Sequence, residues 1–297
     1  MKLFNLKRNT VEIEIPEDTT PNIKYFFKLI RRKFSRLVSI NLLAIFQFAP
    51  LLAAFLIYFW ADTTPTITNP MYPVLQGAIT LGEAYPADYV TLFLSSIQLN
   101  MPYISITTII IIGLLILLFA LTFGLWNVGL SYLMRELVTG NPVFIFSDMK
   151  HAIKRNFKQG FLFGILDFII CAVFIVDILS MKSIPASFIG DVMAILIVAI
   201  AVIYIIMRFY LYLMLITFDM SIKKIFKNAL IFVPLGIKRS LLAILWIIVM
   251  LVINVLIMIL YFPLGIALPI LYLPAFPMFT ATYAAYPTIK KYMIDPN

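Results

Sequence analysis

Six long runs of apolar residues, separated by shorter polar stretches, set the pattern of this chain. Each run is long enough for an α-helix to cross a bilayer, which takes about 20 residues, and none shows the alternation of a membrane β-strand. The pattern therefore predicts an all-α bundle of six transmembrane helices at residues 37–60, 104–130, 160–181, 190–214, 239–262 and 264–286.

The composition of the 297 residues excludes the main alternatives to a membrane protein. Hydrophobic residues make up 63% of the chain and charged residues 12%, and the mean hydropathy is +1.02. A soluble domain has roughly 45–50% apolar and about 25% charged residues. The chain is therefore expected to be a multi-pass protein of a membrane and not a soluble domain.

The distribution of basic residues predicts the orientation of the bundle. The chain has 23 Lys and Arg residues, and only Lys182 falls in a loop on the opposite side from the others. Because Lys and Arg concentrate in cytoplasmic loops, both termini are predicted to be cytoplasmic. A formal charge of +9 beside long apolar runs favours anionic lipid headgroups as partners, and we expect no nucleic acid.

This orientation divides the chain into three parts. Residues 1–36 form a cytoplasmic segment with a basic amphipathic helix, residues 37–286 form the transmembrane domain, and residues 287–297 form a cytoplasmic tail. The external loop at 61–103 has no Lys or Arg, and residues 89–99 within it are apolar enough for an interfacial helix. The loop is either a lid that packs on the bundle or a docking surface for an external partner.

The cytoplasmic loops at 135–159 and 215–238 are amphipathic. After Ser147 and Asp148, a good helix start, Met149, Ile153, Phe157 and Phe161 recur every four residues, with Lys150, Lys154 and Lys158 beside them. After Asp219, an apolar face of Ile222, Ile225 and Phe226 adjoins Lys223, Lys224 and Lys227. We expect the apolar stripes to face lipid or the bundle and the basic stripes to face anionic headgroups.

The motif I-K-x-x-F-K occurs three times, at residues 23–28, 153–158 and 222–227. Its two apolar and its two basic residues are each four apart, so each pair is expected to share a helix face. The copies are either a true repeat of an amphipathic helix plus a hairpin or convergent juxtamembrane helices. The candidate docking or lipid-facing residues are Lys24, Lys28, Ile153, Lys154, Phe157, Lys158, Ile222, Lys223, Phe226 and Lys227.

Ionisable residues inside a span indicate function by default, because burying them in a bilayer is costly. Asp167 and Asp177 lie in the third run, about 280° apart around the helix, and Arg208 lies near the inner end of the fourth. Asp167 is either a structural ion-pair partner of Arg208, a proton or cation site, or a carboxylate that merely lines the bundle. Asp177 is expected at the outer surface, close to Lys182.

Other polar and small residues in the spans predict packing. Asn41, Gln47, Asn127 and Asn254 are expected to hydrogen-bond between helices, and Gly160 with Gly164 permits a close helix approach. Four prolines interrupt the sixth run, so this helix either lines a substrate path or is simply kinked; they are Pro263, Pro269, Pro274 and Pro277.

Little in the sequence supports catalysis or a cofactor. The chain has one cysteine, Cys171, expected to pack within the membrane, and one histidine, His151, expected on the basic cytoplasmic helix. A structural zinc site needs four ligands, and no phosphate-binding loop motif occurs. No Ser/His/Asp set or carboxylate pair suits acid–base chemistry. We therefore expect no enzyme activity and no cofactor.

Two stretches resemble the YesL-like family of bacterial integral membrane proteins, a domain of unknown function. They are YLMRELVTGNPVFIFSDMKHAIKRNFKQG at 132–160 and FDMSIKKIFKNALIFVPLGIKRS at 218–240, with a looser match at 26–43. The resemblance implies an all-helical protein of a bacterial plasma membrane, often encoded with carbohydrate uptake and degradation systems. The long external loop at 61–103 departs from the short turn of that family.

Two functions follow from these observations. The favoured one is an accessory or regulatory membrane component associated with ABC-type carbohydrate uptake, because the amphipathic helices can dock importer subunits. The alternative is an independent small-solute carrier or channel that uses Asp167, which an Asp167 unpaired with Arg208 would favour. The sequence indicates no oligomeric state.

Overall fold

The structure is a computed structural model that describes residues 21–60, 63–65, 77, 80–82, 100–102, 106–181 and 187–295. Nearly all of these residues are helical, as predicted. The helices are α1 (Ile23–Trp60), α2 (Ile106–Thr139), α3 (Ile145–Arg155), α4 (Phe157–Ser180), α5 (Phe188–Thr217), α6 (Ile222–Leu235), α7 (Ile237–Leu260), α8 (Phe262–Tyr272) and α9 (Ala275–Ile289), which runs into a π-helical turn at Lys290–Ile294.

Five of these helices, α1, α2, α4, α5 and α7, are long and apolar enough to cross a membrane. A sixth crossing is formed if α8 and α9 are one span, since together they pass the same test with a bend of 44° between them. Within the described residues, helix therefore makes up most of each of the six apolar runs. The number of crossings is five or six, and the cytoplasmic side stays a prediction.

Helix α1 joins two parts that the sequence analysis placed in separate segments. It runs without interruption through residues 36 and 37, because neither Gly nor Pro occurs between residue 23 and Pro50. The amide of Tyr25 donates to Asn22 Oδ1 at 2.7 Å and caps its first turn. At about 1.5 Å per residue its 38 residues span about 57 Å, so residues 23–36 of the basic segment form the first part of the same helix; residues 1–20 lie outside the described residues.

Each predicted amphipathic loop contains a short helix that turns directly into a span. Helix α3 begins at Ile145, before the predicted start, because the carboxylate of Asp148 accepts the Phe144 amide at 2.7 Å. It ends at Asn156, whose side chain donates to Ala152 O at 2.9 Å, and α4 follows at once. Gly236 makes the equivalent break between α6 and α7.

Two clusters of buried side chains form the core. One lies around α5, where every residue from 210 to 216 is buried, and includes residues of α4, α6 and α9. The other joins α1, α2 and α9 around Leu37, Leu133 and Phe279. The remaining apolar side chains are largely exposed on the outside of the bundle, which is the surface a bilayer would cover.

The small residues at the start of α4 allow a close helix approach, which confirms that prediction. A Cβ added to Gly164 would lie 2.1 Å from Gly124 Cα, and one added to Gly124 would lie 2.2 Å from Gly160 O. The backbones of α2 and α4 are therefore in direct contact, and no larger residue fits at this crossing.

Three of the four predicted polar residues bond between helices. Asn41 lies on the break between α8 and α9: it donates to Ile270 O at 2.6 Å and accepts the Ala275 amide at 2.8 Å. Gln47 donates to Phe119 O and Asn254 to Gly265 O. The prediction is wrong for Asn127, whose amide donates to Phe123 O, one turn earlier in its own helix.

The predicted external loop is described only at residues 63–65, 77, 80–82 and 100–102. Strand β1 (Thr63–Pro65) pairs antiparallel with strand β2 (Asn100–Pro102), with Thr64 opposite Met101. The predicted interfacial helix at 89–99 lies outside the described residues, and so does Lys182.

Candidate functional site

The best-defined polar cluster inside the bundle surrounds Asp167. This residue lies on α4, ten residues from the helix start, and its side chain is 0% exposed. Arg208 Nε lies 2.9 Å from Oδ1 and 3.2 Å from Oδ2 of the carboxylate. The two residues therefore form the ion pair that was one of the three alternatives for Asp167.

Two tyrosines complete the coordination of the carboxylate. The Tyr204 hydroxyl donates to Oδ1 at 2.7 Å, and the Tyr212 hydroxyl donates to Oδ2 at 2.6 Å. Both distances are typical of strong charge-assisted hydrogen bonds. The Cys171 thiol, one turn along α4, lies 3.6 Å from Oδ1 as a weak further donor.

The spacing of residues along α5 explains how one helix supplies three of these groups. Tyr204, Arg208 and Tyr212 are each four residues apart, so they form a stripe on one face of α5. Asp167 and Cys171 are likewise four apart and form the facing stripe on α4. The cluster therefore fastens α4 to α5 over two helical turns.

Aromatic rings close the site. Phe163 meets the Tyr212 ring edge to face at a centroid distance of 4.9 Å, and Phe174 lies 5.6 Å from Tyr204. The guanidinium carbon of Arg208 lies 5.7 Å from the ring centre of Phe123, a cation–π geometry. The Arg208 side chain retains 29% exposure, so the cation reaches toward the surface while the carboxylate is enclosed.

This geometry is suited to holding helices together more than to exchanging a solute. Each carboxylate oxygen has a tyrosine hydroxyl and the Arg208 Nε within hydrogen-bond distance. No group of three or more His, Cys, Asp or Glu side chains able to hold a metal ion occurs among the described residues. Breaking such a buried pair from one side typically costs about 3–5 kcal/mol.

The other singled-out residues are separate from this cluster. Asp177 is half-buried in the last turns of α4, and its expected neighbour Lys182 is not among the described residues. His151 is exposed on α3, on the same helix as Lys150 and Lys154.

The candidate docking residues lie at one end of the bundle, here called the basic end. The first and last described residues, 21 and 295, lie at the same end. Lys24, Lys28, Lys154, Lys158, Lys223 and Lys227 are exposed there, whereas Ile153, Ile222 and Phe226 pack against the core clusters. Phe157 is 52% exposed. The amphipathic faces predicted for the loops are thus present.

The three copies of the I-K-x-x-F-K motif differ in structure. The first lies within α1 and the third within α6, so their paired residues share a face as predicted. In the second copy the helix break at Asn156 separates Ile153 and Lys154 from Phe157 and Lys158, so the copy is not one continuous helix and the shared face stays a prediction there. Whether the copies are a true repeat stays a prediction.

The sequence analysis missed Tyr204 and Tyr212. Their signal was present in the sequence as Y-x-x-x-R-x-x-x-Y around Arg208. Tyrosine is frequent near membrane surfaces, and only the spacing relative to an intramembrane arginine distinguishes these two from the other tyrosines of the chain.

One stretch of the chain matches a known protein family. Residues 97–178 match a family model described as a protein of unknown function, DUF624. The matched stretch contains α2, α3 and most of α4 with Asp167 and Cys171, but not Tyr204, Arg208 or Tyr212. No curated protein and no solved structure matches the chain. The chain is therefore similar, over these residues, to a family whose activity is unknown.

Proposed function

We propose that this integral membrane protein is a non-enzymatic accessory or regulatory component associated with ABC-type carbohydrate uptake in a bacterial plasma membrane. Its helices are those of a membrane protein, and its matched family has no known activity. The association with carbohydrate uptake rests on the resemblance of residues 132–160 and 218–240 to the YesL-like family.

The observation that carries this proposal is that α3 and α6 pack against the bundle at the basic end. Met149 and Ala152 of α3 and Ile225 and Ala229 of α6 are buried against the bundle. Their basic residues point outward, and those are Lys150, Lys154, Lys223, Lys224 and Lys227. Because their apolar faces are already covered, the helices present a fixed, charged surface to a partner subunit or to lipid headgroups.

Affinity purification of the tagged full chain from its native membrane, in mild detergent, tests the proposal. We expect importer subunits to co-purify in a stoichiometric ratio, as measured by mass spectrometry. The triple variants K223Q/K224Q/K227Q and K150Q/K154Q/K158Q remove the same charge from two different surfaces, so each is the control for the other. Loss of the partner with only one of them locates the docking surface. A chain that purifies alone across several detergents would overturn the proposal.

The alternative of an independent carrier or channel using Asp167 has one supporting observation, the break between α8 and α9. Discontinuous helices line substrate sites in many transporters. Here, however, Asn41 occupies the break, and Asp167 is paired with Arg208. Proton flux into liposomes, reported by an entrapped pH dye, tests this alternative. Flux that D167N abolishes while the protein still folds would favour the carrier over the accessory role.

A further inference from the structure

A large cleft opens at the basic end and is lined by four cations. Its volume is about 1070 Å³, and it lies between the start of α1, the end of α2, the α6–α7 break and the end of α9. The cations belong to two neighbouring pairs, Lys238 with Arg239 and Lys290 with Lys291.

Three of these four cations have no acidic ion-pair partner among the described residues. Within the described ranges, no carboxylate forms an ion pair with Lys238, Arg239 or Lys291, and Lys290 lies 3.8 Å from the exposed Asp295. Four positive charges around one opening, with the exposed Asp295 as their one ion-pair partner among the described residues, create a local potential that attracts an anion. Tyr25, Tyr286 and Tyr292 also line the cleft and bring phenol groups to the same opening.

A second, apolar groove of about 380 Å³ adjoins this cleft. It runs between the start of α1, α7 and α9, and Pro21, Arg239 and Tyr283 line both spaces. The wall of the groove is otherwise almost wholly apolar and includes Phe26, Phe27, Leu242, Leu245, Trp246 and Val249.

The depth of the groove matches one leaflet of a bilayer. Arg239 and Val249 are ten residues apart on α7, which is about 15 Å along the helix axis. The hydrocarbon core of a bilayer is about 30 Å thick, so the groove reaches about as far as the chains of one leaflet. Leu245 is 57% exposed on this surface, so the groove is open to the side on which lipid lies.

We propose that the cleft and the groove together form a binding site for one anionic phospholipid. Its phosphate lies among Lys238, Arg239, Lys290 and Lys291, and an acyl chain lies along Trp246 and its neighbours. An anionic phospholipid is complementary to both spaces. Its phosphate pairs with the cations of the cleft, and its acyl chain covers the apolar wall of the groove. Arg239 lies at the junction, where the glycerol backbone joins the two parts of the lipid.

Direct side-chain contacts join the three helices that form the groove. The Tyr283 hydroxyl donates to Asn22 O at 2.8 Å and holds the start of α1 against α9. Phe26 packs on Tyr283 at 5.1 Å, and Phe27 meets Trp246 edge to face at 5.3 Å. These contacts hold α1 against both α7 and α9 along the groove.

Trp246 provides a direct probe of the site. The full chain has three tryptophans, and W60F/W126F leaves only the one that lines the groove. This protein is placed in phosphatidylcholine vesicles that contain a minor fraction of phosphatidylglycerol, with bromine on the acyl chains of one lipid or the other. We expect brominated phosphatidylglycerol to quench Trp246 several-fold more strongly, per mole of brominated lipid, than brominated phosphatidylcholine.

Charge variants assign the preference to the cleft. With K238Q/R239Q we expect the preference for phosphatidylglycerol to fall about fivefold for each cation removed. The matched control K154Q/K158Q removes the same charge elsewhere on the basic end and should leave the preference unchanged. Equal loss in both variants would mean general surface attraction and would overturn the proposal.

Two further measurements test the proposal without any charge variant. Equal quenching by the two lipids in the otherwise unmodified chain would mean that only bulk lipid covers the groove, which overturns the proposal. Inorganic phosphate and glycerol phosphate are then titrated as competitors. We expect neither to reduce the quenching at concentrations comparable with the lipid. Full displacement by inorganic phosphate would assign the cleft to a free anion and overturn its assignment to a lipid.

Discussion

The ion pair of Asp167 and Arg208 and the cations of the basic end place charged groups in opposite surroundings. Asp167 is fully buried, and its oxygens accept from Tyr204, Tyr212 and Arg208. Lys238 and Arg239 are exposed and have no acidic partner among the described residues. A charge that has its counter-ion inside the bundle can stabilise the fold. A charge without a counter-ion at the end of the bundle remains available to a ligand or partner.

Removal of the Asp167 charge should have the largest effect. D167N leaves Arg208 without its counter-ion, and loss of one partner of a buried pair costs about 3–5 kcal/mol. We expect a value near 3 kcal/mol, because the Arg208 side chain keeps 29% exposure. Unfolding by SDS in mixed micelles measures the change. D177N, near the other end of α4, is the control, and a D167N protein as stable as D177N would contradict the structural role of the pair.

The next largest effect is expected at Asn41, which is buried but uncharged. N41A removes both hydrogen bonds across the α8–α9 break and leaves Ile270 O and the Ala275 amide without partners. Unsatisfied buried groups cost about 1–3 kcal/mol. The same SDS titration measures the loss, with N127A as the control because Asn127 bonds only within its own helix. Equal losses of stability in N41A and N127A would show that the hydrogen bonds of Asn41 across the α8–α9 break do not stabilise the protein.

A smaller effect is expected for the tyrosine hydroxyls. Y212F removes one donor from Asp167 and leaves the Phe163 contact intact, and a typical hydrogen bond contributes about 1 kcal/mol. Y210F is a useful comparison, since the Tyr210 hydroxyl lies 3.3 Å from Ser240 and does not contact Asp167. In the background of D167N, the effect of Y212F should shrink while that of Y210F should not. Persistence of the full Y212F effect in that background would argue against a shared network.

The smallest effect on stability should come from the basic end. K238Q/R239Q breaks no ion pair among the described residues, and surface substitutions of this kind usually change stability by less than about 0.5 kcal/mol. Thermal unfolding in detergent measures it. If K238Q/R239Q instead raised the unfolding temperature clearly, the cations would repel each other in the absence of an anion, in contrast to the paired charges of Asp167 and Arg208. A large destabilisation would mean that they already have partners within the protein.

The sequence predicted those features that depend on local pattern. Apolar runs predicted every long helix, and Lys spacing predicted the exposed faces of α3 and α6. The glycines at 160 and 164 predicted a close helix approach but not its partner, which the structure shows to be α2. The pairing of Asp167 with Arg208 stood among three alternatives, because the distance between side chains on different helices depends on how those helices cross.

Other features could not be predicted because they depend on the packing of distant segments. The bridge at Asn41 joins residues more than 220 positions apart, and the cleft at the basic end is assembled from the ends of α1, α2, α6, α7 and α9. The break at Asn156 is local, yet the four-residue spacing of Ile153 and Phe157 continues across it and conceals it. A pattern of apolar residues reports which face is buried, and it does not report whether the backbone is continuous.

The central claim is that Asp167 and Arg208 act as one structural unit. A double-mutant cycle with D167N, R208Q and D167N/R208Q, measured by SDS unfolding, tests it most directly. We expect a coupling of about 2 kcal/mol or more, with the double variant more stable than D167N alone because the unpaired cation is gone. Additive effects of the two substitutions would contradict it, because they would show that each residue contributes independently of the other.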